Sequence, residues 1–167
     1  MKKKNERNLH TPVILFRYDE KLLSKSTDVR IYKGAILLTP GEYTDALSRT
    51  PTVYTETELK NSATRWEANF LNLDHSDEVL KRVGYVKNTY YKNGAVRGDL
   101  YIFPVTEAAK STIGLIDSHL VDWLSVELTS QDFWDNKLNK RCAGDISFIG
   151  AAVVTSPACP NTKIVVD

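Results

Sequence analysis

Cysteine is nearly absent. Cys142 and Cys159 are the only two in 167 residues, too few to staple a small secreted scaffold, so each reads as a small packing residue kept as a thiol. Neither stands beside a histidine in sequence, which leaves a thiol nucleophile without support from spacing. Histidine is almost as scarce: His10, His75 and His119 are far apart and lack cysteine partners at finger spacing, so no metal site is expected. An excess of one charge is missing too. With 22 basic residues against 21 acidic the net charge is +1, and no overall field draws the chain to nucleic acid or an anionic membrane. No apolar run approaches the roughly 18 residues of a membrane span, and the N-terminus lacks the apolar centre of a secretory signal. A chain that stays in the cytoplasm is expected. There is no phosphate-cradling glycine loop and no internal repeat.

What is present suits one soluble globular domain, with 42% apolar and 26% charged residues. Lys2-Lys3-Lys4 opens a basic tail over residues 1–10 that should be solvated and frayed, leaving residues 11–167 as the folded unit. Strand-like runs follow at Pro12 to Tyr18, Asp28 to Leu38, Pro51 to Tyr54, Phe70 to Asp74, Arg82 to Thr89, Ala95 to Phe103, Val121 to Thr129 and Ile146 to Thr155. Asn93-Gly94 marks a tight hairpin, because both residues tolerate positive φ. Thr55 with Glu58 matches a capping box ahead of Leu59, Ala63 and Trp66, and Thr106 caps a second helical run to Ile116. Gln131 to Arg141 is polar and reads as an exposed loop. Short turns and only two helices favour antiparallel pairing, so the expected fold is an antiparallel β-barrel flanked by about two helices.

The stretch with most chemical interest is Val121 to Thr129. Alternation puts Leu124, Val126 and Leu128 on one face and Trp123, Ser125, Glu127 and Thr129 on the other. A serine hydroxyl attacks a carbonyl only if a base takes its proton, and an acid must then fix the tautomer of that base. His75 upstream and Asp145 downstream supply those residue types. Each also has a plainer role: Ser125 as a small strand residue, His75 as a loop cap, Asp145 as a turn residue after Gly144. No Gly-x-Ser-x-Gly elbow surrounds Ser125, so spacing alone goes no further than a soluble β-rich domain. Paired carboxylates are another option, since Asp74, Asp77 and Glu78 surround His75, but a hydrophilic loop explains them equally.

Four segments in order carry a resemblance: Leu73-Asp74-His75-Ser76, Val83-Gly84-Tyr85-Val86, Leu124-Ser125-Val126-Glu127, and Asp145 through Ala158. Together, over roughly residues 29–160, they resemble the prohead (capsid maturation) proteases of tailed phages, a family similar to the herpesvirus assemblins. The resemblance implies an assemblin-like barrel and a serine endopeptidase that cleaves scaffold and major capsid protein, and itself, inside the assembling prohead in the host cytoplasm. It needs no cofactor and allows a homo-oligomer. Carried over by position, the histidine is His75 and the nucleophile Ser125. Assemblins have a second histidine after the serine and none occurs here; phage relatives place an acid before the last apolar strand, which is Asp145. Glu127 is the competing acid: two residues along a strand span nearly 7 Å, too far for a direct role unless His75 bridges it to Ser125. His119 with Asp122 is a weaker rival base. No arginine pair follows Asp145, which leaves Arg141 and Arg97 as conceivable oxyanion donors. The other reading is a catalytically inactive head-assembly protein that keeps the fold.

Overall fold

A computed structural model describes residues 28–44 and 49–166. The expected basic tail and the strand over Pro12 to Tyr18 lie outside the described residues.

Among the described residues, ten strands and two α-helices follow in order. They are β1 (Arg30–Leu38), β2 (Gly41–Thr44), β3 (Pro51–Tyr54), α1 (Glu56–Ser62), β4 (Ala68–Leu73), β5 (Arg82–Lys92), β6 (Ala95–Ile102), α2 (Glu107–Asp117), β7 (Trp123–Thr129), β8 (Phe133–Asp135), β9 (Lys140–Cys142) and β10 (Ser147–Val154), with short 3-10 turns at Ala63–Arg65 and Val79–Lys81. Both helices start where the sequence places a cap. The Thr55 hydroxyl accepts from Glu58 N at 3.2 Å and the Thr106 hydroxyl from Ala109 N at 3.1 Å. Glu58 does more than complete the first turn: its carboxylate accepts from Ile146 N at 3.2 Å, tying α1 to the entry of β10.

Six strands form one sheet in the order β1-β6-β5-β4-β10-β7, and four form a second in the order β2-β3-β9-β8. The β5–β6 hairpin closes through Asn93 and Gly94, both at positive φ, with Lys92 opposite Ala95. The expectation of purely antiparallel pairing is corrected at two places. β10 runs parallel to β4, and β3 runs parallel to β9. Neither parallel pair needs a dedicated crossover helix, because its strands are far apart in sequence and the intervening elements make the connection. The polar stretch expected as a loop is the β8–β9 hairpin, in which Phe133 pairs with Cys142.

The larger sheet curls until its edge strands β1 and β7 approach. The C-terminal segment fills the remaining seam. Ile36 and Lys163 exchange backbone hydrogen bonds at 2.8 and 3.1 Å, Ile164 N donates to Asp122 O at 2.7 Å, and the Thr162 hydroxyl donates to Leu124 O at 2.6 Å. The core draws Leu71, Leu100, Leu124, Ala151 and Val153 from this sheet, with Leu59 and Trp66 from the α1 side and Ile116 from α2. Trp66 stacks on Phe148 at 5.1 Å. The result fixes β7 as an edge strand with Leu124 anchored inward and Ser125 on the opposite face.

Candidate active site

β7 is held against β10 by a register that pairs Ser125 with Ala152 and Glu127 with Gly150. Its neighbour on the other side of β10 is β4, where Asn72 pairs with Ala152 and Leu73 with Val153. At the end of β4 the chain reverses: Ser76 N donates to Leu73 O at 2.9 Å, and Asp74 N donates to Val153 O at 3.1 Å. Asp74 and His75, the two central residues of this turn, have φ of 49° and 55°. Two successive positive values are the mark of a mirror-image turn, normally built from glycine and asparagine. Among the described residues no other pair of consecutive non-glycine residues shares this conformation.

The turn lifts the imidazole back over the sheet. His75 Nδ1 lies 2.9 Å from Glu127 Oε1, so the carboxylate of β7 is bonded to the histidine delivered by β4. A neutral imidazole in this bond donates Nδ1–H to the carboxylate and keeps its lone pair on Nε2. That is the tautomer a general base for a hydroxyl requires. The pair is half-exposed, with side-chain accessibilities of 43% and 27%. An ion pair so exposed is worth roughly 0–1 kcal/mol, while each left-handed non-glycine residue costs about 1–2 kcal/mol. Stability therefore does not explain why a histidine occupies this place, and strain of this kind collects at functional sites.

His75, Ser125 and Glu127 line one cleft of about 850 Å³ that runs along β7. Its far wall includes Tyr43, Tyr54 and Cys159. The lining is predominantly apolar, as in most sites that take an organic ligand. Cys159 is buried, and its sulfur lies 3.6 Å from the Thr39 hydroxyl. Burial, followed by the bond to that cysteine, pushes the Tyr43 phenol up to about 12. Cys142 is also a buried free thiol, and burial raises its pKa. Cys142 is therefore held as a thiol.

The structure thus brings His75 and Ser125 to the same cleft, where the acid bonded to the histidine is Glu127. It does not bring Asp145 there. Asp145 is exposed, at φ 46°, in the turn before β10. The His75 turn is bonded to Val153, near the other end of that strand. From Ser147 to Val153 the strand covers roughly 20 Å at about 3.3 Å per residue. His119 sits exposed beyond the end of α2 and does not line the cleft. Arg141 is committed to Asp132 (Nε to Oδ2, 2.7 Å), and Arg97 donates to Gly34 O at 2.9 Å. No hydrogen bond joins His75 to Ser125 among those of the described residues. Unliganded active sites often hold such contacts long until substrate binds.

One residue at this face escapes sequence reasoning altogether. Asn72 is 3% exposed, shares the Ser125 face, and its Oδ1 accepts no hydrogen bond from the described protein residues. The only signal is its place three residues before His75, and that spacing says nothing about burial.

No protein-family model matches the chain, and no curated protein matches it in sequence. Among solved structures, the chain is similar to the capsid assembly protease of bacteriophage T4, with a TM-score of 0.46 and 8% identity over 77% of this chain and 98% of that one.

Proposed function

We propose that the protein is a serine endopeptidase in which Ser125 is the nucleophile, His75 the general base and Glu127 the acid that orients the base. The observation that carries this reading is the 2.9 Å bond from His75 Nδ1 to Glu127 in a cleft that Ser125 also lines. Nε2 of the same ring is then the atom that takes the Ser125 proton as the hydroxyl oxygen attacks a peptide carbonyl. The imidazolium so formed is stabilised through Nδ1–H by the carboxylate, and it returns the proton to the leaving amine. Water repeats the sequence on the acyl-enzyme. In this reading Asp145 has no part in the relay.

The substrate class comes from the resemblance of the segments around His75, Ser125 and β10 to prohead proteases: scaffold and capsid proteins, and the chain itself, during head assembly. The apolar lining of the cleft suits an extended peptide. The experiment is cleavage of the cognate scaffold by wild type and Ser125→Ala. Loss of processing by a folded Ser125→Ala protein is expected; unchanged processing overturns the reading. A second reading, an inactive head-assembly protein, is favoured by one observation, the lack of a hydrogen bond between His75 and Ser125. The same comparison decides it, because such a protein cleaves nothing in either form.

A further inference from the structure

The second sheet carries one face of the cleft beyond its mouth. Tyr43 of β2 pairs with Thr52 of β3, and both line the cleft. Between the parallel strands Val53 lies opposite Cys142, which sets Thr52 beside Arg141, and Arg141 in turn pairs with Trp134 of β8. Directly opposed residues share a face of a sheet. Tyr43, Thr52, Arg141 and Trp134 therefore form one row on the cleft face. At about 4.8 Å per strand the Cα of Trp134 lies roughly 10 Å from that of Thr52. Val53, Cys142 and Phe133 point to the opposite face, where a Cβ at Gly144 would meet the Phe133 ring at 3.2 Å.

Phe133 thus has a packing role, and Trp134 is different. It is 60% exposed, and among the described residues no ring stacks on it and no cation lies over it. A tryptophan stabilises a fold by being buried, so an indole left in solvent does little for this one. Scattered exposed apolar residues are ordinary, but this one continues the face of a ligand-sized cleft. The charges beside it are already neutralised. Asp132 lines the cleft, and its carboxylate accepts from the Ser130 hydroxyl at 2.5 Å and from both Nε (2.7 Å) and Nη2 of Arg141. Lys140 is paired with Glu42, and Asp135 accepts from the backbone N–H groups of Lys137 and Leu138. The row gives an ionic partner nothing to pair with, whereas an apolar one meets the indole, with Arg141 held in place between it and the cleft.

We propose that Trp134 is an exosite for the substrate protein: an apolar side chain of the substrate, beyond the part of its chain that fills the cleft, packs on the indole. The proposal rests on the peptidase reading of the cleft and adds a specificity-determining contact outside it. Ser125 to Thr129 covers about 13 Å of the cleft, the span of four extended residues. A short peptide occupies the cleft without reaching Trp134, while an intact scaffold or capsid protein reaches both. The indole therefore favours long substrates over short ones, and it does so through binding, not through the chemical step.

The test is Trp134→Ala, a surface change that should leave the thermal unfolding midpoint where it is. Binding of the intact scaffold protein to Ser125→Ala is compared with its binding to Ser125→Ala/Trp134→Ala. A Kd raised about tenfold or more is expected when the indole is lost. Hydrolysis of a peptide of about eight residues around the scaffold cleavage site should be unchanged in the Trp134→Ala single variant. Equal affinities overturn the proposal, as does a scaffold that binds neither protein. Peptide hydrolysis that falls in step with scaffold binding also overturns it, because Trp134 then acts inside the cleft. Sedimentation covers the remaining case: self-association that vanishes in Trp134→Ala, with scaffold binding unchanged, marks an interface between copies and not an exosite. Affinity is measured with the serine already removed. Weakened scaffold binding together with no cleavage by wild type would leave the exosite standing while the peptidase reading fails.

Discussion

At the scale of single residues, the site depends on a histidine held in a backbone conformation that histidine does not prefer. Glycine adopts φ near 55° without the Cβ penalty, so His75→Gly should be more stable than His75→Ala by about 1 kcal/mol, although both lose the bond to Glu127. Thermal unfolding of the two variants compares them directly; an alanine variant as stable as the glycine one removes the strain argument. Glu127→Gln retains the shape of the acid but not its charge. The proposed endopeptidase activity should fall at least a hundredfold, while stability changes by less than about 1 kcal/mol because the pair is half-exposed. Residue types were legible here: His75 and Ser125 stand out in sequence, and both line one cleft. The carboxylate bonded to the histidine was less legible. Glu127 is set back by its distance from Ser125 along one strand unless His75 bridges the two, and His75, arriving from β4, does reach over β10 to bond it. Asp145 looks attractive in sequence because it directly precedes the last strand, but strand direction puts it at the end away from the His75 turn.

At the scale of elements, local chemistry predicted most of what formed. Asn93-Gly94 closes its hairpin and Thr55 and Thr106 cap their helices because these signals act within a few residues. The β8–β9 hairpin was missed since Asp132, Asp135, Asn136 and Asn139 give that stretch the composition of a loop. The parallel contacts between β4 and β10 and between β3 and β9 join strands far apart in sequence, and no local pattern encodes such a register. β10 also carries a glycine with a specific task. A Cβ at Gly150 would lie 2.0 Å from the ring of Phe70, which itself lies under Arg82. Gly150→Ala therefore has to displace that ring, at a cost of about 1–3 kcal/mol. Because Gly150 pairs with Glu127, the same change should weaken the proposed peptidase activity more than an equally destabilising core substitution elsewhere. Denaturant unfolding alongside activity measurements checks both halves, and a stable, fully active Gly150→Ala protein contradicts the packing account.

At the scale of the whole molecule, the curled sheet is sealed by its C-terminal segment, and two phenols, the buried Tyr32 and the partly buried Tyr43, make that assembly sensitive to alkali. Tyr32 is raised to about 12 chiefly by burial, and Tyr43 to about 12 by burial and its bond to Cys159, from an ordinary value of 10.0. The unfolded chain loses these protons near pH 10 and the folded chain holds them to about 12. Unfolded protein thus binds fewer protons in this window, and stability should fall as pH rises through it. The slope of stability against pH should be shallower in Tyr32→Phe, even though that variant also loses the 2.9 Å bond to Asp117. Equal slopes would mean that Tyr32 does not titrate late. The cleft along β7 exists only while this assembly is closed, since Thr162 and Cys159 of the terminal segment help to line it. The most direct measurement of the central claim is labelling of the intact protein with a fluorophosphonate, the modified residue being located by mass spectrometry. A relay from Ser125 through His75 to Glu127 predicts a single adduct on Ser125 that disappears in His75→Gly, whereas folded wild-type protein that takes up no label, or takes it up equally without the histidine, contradicts it.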